Sequence, residues 1–247
     1  MENRVKKLLR YFSRTEWTLW MSSVALIAVS FAVFDRENYL TLCASLIGAT
    51  SLMFNAKGNP IGQALTIIFS ILYGIISYTF EYYGEMITYL GMTMPMAIFA
   101  LISWLRNPYK GNRAQVKVNS LKAKEILLML AAAALITLAF YFILKACGTA
   151  NMIPSTISVT TSFIAVYLTF RRSPLYALGY AANDIVLIVL WILATIEDMT
   201  YLSVVICFAM FLVNDIYGFV NWRKMRKKQA TDATGPVTER TADTPED

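Results

Sequence analysis

The chain has 247 residues, of which 57% are apolar and only 15% are charged, and its formal net charge is +6. Soluble domains carry charge on about a quarter of their residues, so this composition excludes an ordinary soluble domain. The absence of histidine excludes Ser-His and Cys-His nucleophilic sites and histidine-ligated metals. The three scattered cysteines have neither a disulfide nor a zinc spacing. We therefore expect no metal and no cofactor.

Continuous apolar runs of about 20 residues follow one another along the chain, and each is long enough to cross a bilayer as a helix. Because the runs do not alternate apolar and polar residues, helices rather than barrel strands are indicated. The sequence predicts an all-α membrane protein with eight transmembrane helices, at Trp17–Phe34, Tyr39–Phe54, Ile61–Phe80, Met86–Trp104, Ile126–Ala146, Ile153–Phe170, Pro174–Ile196 and Thr200–Trp222.

Positive charge is distributed by side of the membrane. With both termini in the cytoplasm, 20 of the 22 Lys and Arg residues fall on the cytoplasmic side, and only Arg36 and Lys145 fall outside. The sequence therefore predicts a multi-pass protein of the cell membrane with cytoplasmic N- and C-termini. Topology and contact with anionic membrane lipid account for the basic residues, so no nucleic-acid partner is expected.

Two parts of the chain resemble each other. The third and seventh predicted helices both follow a basic residue and a polar-Pro pair, and the fourth and eighth end in a similar pattern before Trp104 and Trp222. We expect two parallel three-helix repeats, a linker helix 5 and an extra helix 1. The predicted segments are 1–38 (cytoplasmic N-terminus and helix 1), 39–107 (first repeat), 108–150 (basic loop and linker helix), 151–222 (second repeat) and 223–247 (basic, disordered tail).

Only two acidic residues, Asp184 and Asp215, lie in the middle of a predicted span, and an asparagine precedes each of them, Asn183 and Asn214. A carboxyl group in hydrocarbon is costly and is usually kept for a function. No Lys or Arg lies at a comparable depth, so neither carboxyl group has an obvious ion-pair partner.

Polar and aromatic side chains recur at helical spacing on one face of each of three predicted helices, the third, the seventh and the eighth. One interpretation is ordinary hydrogen bonding between helices, which we prefer for Ser70 and Ser77. The other is a substrate site at the membrane centre. Its candidate residues are Asn183, Asp184, Asn214, Asp215, Tyr180, Trp191, Tyr217, Gln63, Thr66 and Tyr73.

These residue types suit a neutral or cationic polar solute with a flat ring. Asp and Asn pair with ribose hydroxyls or a carboxamide, and aromatic side chains stack on a flat ring and attract a positively charged one. A phosphate is a poor fit because no Lys or Arg is predicted at that depth. The chain has no Walker motif and no Gly-rich phosphate loop, so we expect no ATP-driven transport by this chain.

Four stretches of the sequence are distinctive in combination: AKGNPIGQALTIIFSILYGIISYTFEYYGE, MPMAIFALISW, YAANDIVLIVLW and VNDIYGFVNW. Through them the chain resembles, over about residues 40–225, the PnuC family of bacterial nicotinamide riboside transporters. The resemblance implies a fold similar to the sugar-exporting SWEET proteins, with three helices plus one plus three. It also implies facilitated diffusion of nicotinamide riboside, made unidirectional by phosphorylation inside the cell. Many relatives have Trp where Tyr180 stands, four residues before an Asn or Asp that corresponds to Asp184.

The main hypothesis is therefore a uniporter for nicotinamide riboside, functionally linked to a cytosolic kinase, with homo-oligomerisation left open. A neighbouring hypothesis is a transporter of thiamine, riboflavin or a deoxynucleoside, since relatives specialised for these share the architecture. Proton coupling through Asp184 and Asp215 is a further alternative. A membrane enzyme and a non-transporting scaffold are remote ones, and for a scaffold the Asp184→Asn variant would be nearly silent.

Overall fold

A computed structural model describes residues 11–79, 82–149 and 151–234. Within these ranges, eight helices are long and apolar enough to cross a membrane, which confirms the predicted all-α membrane fold with eight transmembrane helices. The first ten residues of the predicted cytoplasmic segment, and residues 235–247 of the predicted tail, lie outside the described residues.

The helix ends agree with the predicted spans to within a few residues, apart from the end of the last helix. The helices are α1 Arg14–Phe34, α2 Tyr39–Ala56, α3 Pro60–Thr79, α4 Tyr83–Leu105, α5 Ala123–Ala146, α6 Met152–Phe170, α7 Tyr176–Thr195 and α8 Leu202–Thr234. A π-helical turn, Tyr89–Thr93, interrupts α4, and a 3₁₀ turn, Met199–Tyr201, precedes α8. An antiparallel hairpin, β1 Pro108–Tyr109 and β2 Asn112–Val116, connects α4 to α5.

Six of these helices form a closed ring. The order of contact around it is α2, α3, α4, α6, α7 and α8, and α8 returns to α2. Outside the ring, α1 packs on α2 and α8, while α5 packs on α6 and the start of α4. Each contact of the first four helices thus has a counterpart among the last four, as a parallel duplication produces. The α1 helix, predicted as an extra element, lies where α5 lies in the other half.

Two glycines allow neighbouring helices of the ring to approach closely. A Cβ atom on Gly62 of α3 would lie 2.6 Å from the backbone nitrogen of Asn55 in α2. A Cβ on Gly179 of α7 would lie 2.9 Å from Cα of Ala165 in α6. In a membrane, burying apolar side chains between helices gives little free energy because lipid is equally apolar. Close backbone packing at small residues therefore contributes much of the association between helices.

The turns that join α2 to α3 and α6 to α7 have the same conformation. Gly58 and Arg172 occupy the same position in the two turns, and both have left-handed backbones, with φ of 66° and 55°. In each turn the next residue donates its backbone N–H to a carbonyl near the end of the preceding helix, Asn59 to Phe54 at 3.0 Å and Ser173 to Leu168 at 2.9 Å.

The two predicted repeat-ending tryptophans also occupy equivalent positions. The indole of Trp104 donates to the carbonyl of Thr169 at 2.9 Å, and that of Trp222 donates to the carbonyl of Asn55 at 2.8 Å. Both acceptors lie one residue before the end of their helix. The two indoles meet with ring centroids 5.4 Å apart, so they close one end of the ring. We call this the basic end, because Lys57, Arg171 and the basic 106–124 segment lie there.

Two expectations from the sequence are wrong at segment boundaries. The region from Arg223 was predicted to be an unfolded tail, but α8 continues unbroken to Thr234. Its extension packs on the hairpin, where Tyr109 Oη donates to Asp232 Oδ2 at 2.7 Å, and this contact supports helix beyond the membrane. The predicted spans Ile61–Phe80 and Met86–Trp104 leave Glu85 in the loop between them, but it lies in the first turn of α4 and is buried.

Candidate functional site

A small central cavity lies inside the ring and has a volume of about 50 Å³. This volume holds one or two water molecules. Residues from α2, α3, α4, α6, α7 and α8 line it: Gly48, Ser51, Leu52, Asn55, Thr66, Phe69, Tyr89, Thr93, Ser162, Tyr180, Asn183, Asp184, Phe208, Phe211 and Asp215. None of these lining residues is Lys or Arg. Five of the ten predicted site residues are therefore brought together here: Thr66, Tyr180, Asn183, Asp184 and Asp215.

The two carboxyl groups predicted at the membrane centre face each other across this cavity. Asp184 of α7 and Asp215 of α8 are both buried, and their side chains are within hydrogen-bonding reach of each other. No N–H or O–H donor among the described residues reaches Oδ2 of Asp184. A buried acceptor without a donor is unfavourable, so this oxygen is available to a ligand that brings hydroxyl or amine hydrogens.

Hydroxyl groups of α6 orient the side-chain amide of Asn183. Its Oδ1 accepts hydrogen bonds from Thr161 Oγ1 at 2.8 Å and from Ser162 Oγ at 2.9 Å, and Ser158 Oγ lies 3.5 Å away. Because donors already occupy the carbonyl oxygen, the amide nitrogen is the atom that Asn183 can offer to a ligand. The cavity therefore combines a free carboxyl oxygen with an oriented amide donor.

A second polar group lies on the α2–α3 side of the cavity. Asn55 Nδ2 donates to Thr66 Oγ1 at 3.2 Å, and Asn55 Oδ1 accepts from Gln63 Nε2 at 2.8 Å. Asn55 and Thr66 line the cavity, whereas Gln63 stands one layer behind them. Gln63 thus orients Asn55, and its own Oε1 has no donor among the described residues.

An aromatic layer closes the cavity on the side away from the basic end. Trp191 Nε1 donates to Tyr73 Oη at 2.8 Å, and the ring of Trp191 packs on Tyr82 and Tyr201. Both predicted site residues in this layer, Tyr73 and Trp191, are buried but do not line the cavity. At the basic end the corresponding closure consists of Trp104, Trp222 and Tyr176.

Two predicted site residues, Asn214 and Tyr217, face away from the cavity. Asn214 Nδ2 donates to Ser23 of α1 at 3.0 Å, and Tyr217 Oη donates to Glu16 of α1 at 3.0 Å. The helical spacing predicted one polar face on α8, but the helix contacts α1 on one side and the ring interior on the other. Since adjacent residues of a helix are about 100° apart, Asp215 faces inward while its neighbour Asn214 faces α1.

Sequence reasoning missed several residues of the cavity wall. Thr93 is a single polar residue in an apolar run, Asn55 ends one, Ser162 belongs to the hydroxyl-rich stretch Ser158–Ser162, and Phe69 and Tyr89 have no unusual spacing. The only sequence signal that could have identified these polar residues is a polar side chain in the middle of a predicted span. Asn55 does not show this signal because it lies near a helix end. Their convergence follows from the ring closure of α2 on α8 and of α4 on α6, which is not encoded locally.

A ring of membrane-spanning helices around a polar cavity, closed at both ends by aromatic layers, defines a membrane transport protein rather than an enzyme or a soluble binding domain. The comparisons with known proteins agree. The chain belongs to the PnuC family, and a family model described as nicotinamide mononucleotide transporter matches residues 38–224.

Two curated relatives are both named nicotinamide riboside transporter PnuC. The one from Neisseria mucosa is 28% identical over 223 residues, covering 87% of this chain and 84% of the relative. The one from Haemophilus influenzae is 21% identical over 214 residues, covering 85% and 90%. A crystal structure of the vitamin B3 transporter PnuC is similar with a TM-score of 0.78 and 27% identity, covering 88% of this chain and 94% of the solved chain.

Proposed function

We propose that this protein carries nicotinamide riboside across the cell membrane by facilitated diffusion, with its basic end in the cytoplasm. The observation that carries the proposal is the donor-free oxygen of Asp184 beside the oriented amide of Asn183, in a cavity whose described lining contains no cation. The names of both curated relatives support the same substrate, whereas the description of the family model names its phosphorylated form, nicotinamide mononucleotide.

The chemistry of the cavity matches the three parts of this nucleoside. Ribose hydroxyls are donors that suit Asp184 and Asp215, and the carboxamide oxygen suits the amide nitrogen of Asn183. The positively charged pyridinium ring is attracted by carboxyl groups and by the faces of Phe69 and Tyr89. A phosphorylated nucleoside would bring a dianion next to two carboxyl groups, so we expect the protein to reject it.

Transport requires the cavity to enlarge, because about 50 Å³ is far less than a nucleoside occupies. The two aromatic closures are the natural gates. Opening the Tyr73–Trp191 layer would admit substrate from one side, and opening the Trp104–Trp222 layer would release it on the other. Phosphorylation by a cytosolic kinase would then trap the product, since the phosphate form does not fit the site.

Two alternatives rest on specific observations. The contact between Asp184 and Asp215 favours a proton-coupled carrier, since two carboxyl groups in contact can gain and lose a shared proton. The Tyr180 that stands where many relatives have Trp favours a different vitamin, because a smaller ring at the cavity wall changes which flat ring fits.

The substrate is tested by calorimetry on the purified protein with nicotinamide riboside, nicotinamide mononucleotide, thiamine and riboflavin. We expect binding of nicotinamide riboside alone. Asp215→Asn should weaken it about tenfold or more, the effect of losing a hydrogen bond to a charged group, while Asp198→Asn in an exposed loop should leave it unchanged. Tighter binding of thiamine or riboflavin would identify a different substrate for the same class of transporter.

Coupling is tested by uptake into proteoliposomes. For a uniporter, uptake of nicotinamide riboside should follow its own gradient and should be unchanged when proton and sodium gradients are collapsed. Accumulation above the external concentration that disappears on collapse of the proton gradient would establish the coupled carrier instead.

A further inference from the structure

Glu85 is a buried carboxyl group that the proposed substrate site does not yet use. It lies in the first turn of α4 with 1% of its surface exposed. The ion pairs among the described residues do not include it, and no donor among them reaches its Oε2. A buried acid without a cationic partner is unfavourable, so a purely structural role is better served by glutamine.

A single serine connects Glu85 to the cavity. Ser158 Oγ lies 3.2 Å from Glu85 Oε1 and 3.5 Å from Asn183 Oδ1. A hydroxyl has one hydrogen, so Ser158 donates to one of the two at a time. When it donates to Glu85, the Asn183 carbonyl relies on Thr161 and Ser162, which hold the amide with its nitrogen toward the cavity.

We propose that Glu85 is a specificity-determining residue: it competes with Asn183 for the Ser158 hydroxyl, and its carboxyl group becomes the counter-charge when a positively charged substrate ring enters the cavity. The proposal rests on the proposed function. It predicts that Glu85 matters more for a cationic ligand than for an uncharged ligand of the same shape, because Coulomb attraction in a low-dielectric interior extends well beyond contact distance.

The test compares nicotinamide riboside with its uncharged dihydro form, by calorimetry on the wild type, Glu85→Gln and the control Glu197→Gln, which removes an exposed acid. We expect Glu85→Gln to weaken the cationic ligand about tenfold and the uncharged ligand less than twofold. Equal losses for both ligands would reduce Glu85 to a structural residue, and no loss for either would overturn the proposal. If the wild type binds neither ligand, the proposed function itself fails.

A different observation concerns the segment Val116–Asn119, which we call the strap. The backbone N–H of Val116 donates to the carbonyl of Gly58 at 2.9 Å, and that of Asn119 donates to the carbonyl of Arg172 at 3.0 Å. Gly58 and Arg172 are the equivalent left-handed residues of the two helix turns. Four consecutive residues therefore join the two halves of the ring at corresponding points of the basic end.

The extension of α8 holds the strap in place. Gln229 Oε1 accepts from the N–H of Val118 at 2.8 Å, and its Nε2 donates to the carbonyl of Val116 at 3.1 Å. Val116 is fully buried in the cluster that contains Trp104 and Trp222. The strap thus contacts the aromatic closure as well as both turns.

We infer that the strap is a latch for the basic end, and that Gln229 sets how readily it releases. Any movement that separates the two turns must break one of the two strap hydrogen bonds, since a four-residue segment cannot follow both. Release of the strap also withdraws Val116 from the tryptophan pair, so latch and closure open together.

The latch is tested by labelling with a membrane-impermeant thiol reagent. The background has Cys43, Cys147 and Cys207 replaced by serine and carries Ser51→Cys at the cavity wall. Gln229→Ala should raise the labelling rate several-fold from the basic end and leave it unchanged from the other side, while the exposed control Lys228→Ala should change neither. Equal increases in the labelling rate from both sides would overturn the latch. So would an unchanged labelling rate in a Gln229→Ala variant that elutes from a size-exclusion column like the parent protein.

Discussion

The two halves of the ring are alike at the basic end and different at the centre. At the basic end they share the polar-Pro pair, the left-handed turn residue and the tryptophan that donates to a helix-end carbonyl. Pro60 and Pro174, which correspond, are 114 positions apart. By that spacing Asn183 and Asp184 of α7 correspond to Phe69 and Ser70 of α3.

The same contrast holds in the last helix of each half. Counting from the tryptophans, Asp215 of α8 corresponds to Ala97 of α4. The second half therefore supplies both carboxyl groups of the cavity wall and the first half supplies none, while each half contributes one asparagine amide and several aromatic rings. The two halves thus share the residues that close and hold the ring, whereas they present two different walls to the cavity.

The largest effect should come from exchanging matched residues at the centre. Asp184→Asn should abolish measurable binding of nicotinamide riboside, at least a hundredfold loss, because it replaces a buried carboxyl acceptor by an amide NH2 that cannot accept from the ligand, at a cost of roughly 3 kcal/mol. The counterpart Ser70→Ala should stay within twofold, since Ser70 Oγ donates only to the carbonyl of Thr66 in its own helix, at 2.8 Å. Calorimetry on both variants checks this, and comparable losses would contradict the functional asymmetry.

At the basic end the matched residues should instead have similar effects. Trp104→Phe and Trp222→Phe each remove one indole N–H from a helix-end carbonyl, which keeps the turn N–H of Arg172 or Gly58 as its second donor. The cost should be about 1 kcal/mol in the free energy of unfolding, the usual value of one hydrogen bond. Thermal unfolding of the two variants in detergent should therefore give similar drops in midpoint. A several-fold difference between them would show that the two closures are not equivalent.

The turns allow a finer comparison. Gly58→Ala should destabilise the protein by about 1–2 kcal/mol, because a left-handed backbone disfavours a side chain and a Cβ there would lie 3.1 Å from Met225 and Val116. Arg172→Gly should be close to neutral, since it relieves the same backbone strain but loses weak 3.4 Å hydrogen bonds to Ser103. Unfolding midpoints of the two variants, measured side by side, should therefore fall for Gly58→Ala and stay nearly unchanged for Arg172→Gly.

The sequence predicted the elements of this fold well because each span is a continuous apolar run, and the length of the run alone sets its bounds. It predicted Asn183, Asp184 and Asp215 as cavity residues because polarity at mid-span depth is rare and costly. It misassigned Glu85 because a charged residue at the end of an apolar run is normally assigned to the connecting loop. It also missed the helix beyond Arg223, since charged residues outside the membrane carry no hydropathy signal.

Sequence periodicity could not predict which face of each helix turns toward the cavity. Asn214 tests this orientation, and its substitution has the smallest expected effect on binding and stability. Asn214 bonds to Ser23 of α1 rather than to the cavity, so Asn214→Ala should leave the affinity for nicotinamide riboside within twofold. Its cost in stability should be about 0.6 kcal/mol, the average for an interhelical hydrogen bond in a membrane protein. Ser23→Ala should have the same small cost, and the double variant should lose little more than either single one because both remove the same bond. A tenfold loss of affinity in Asn214→Ala would restore this residue to the site and imply that α8 rotates toward the cavity when substrate binds.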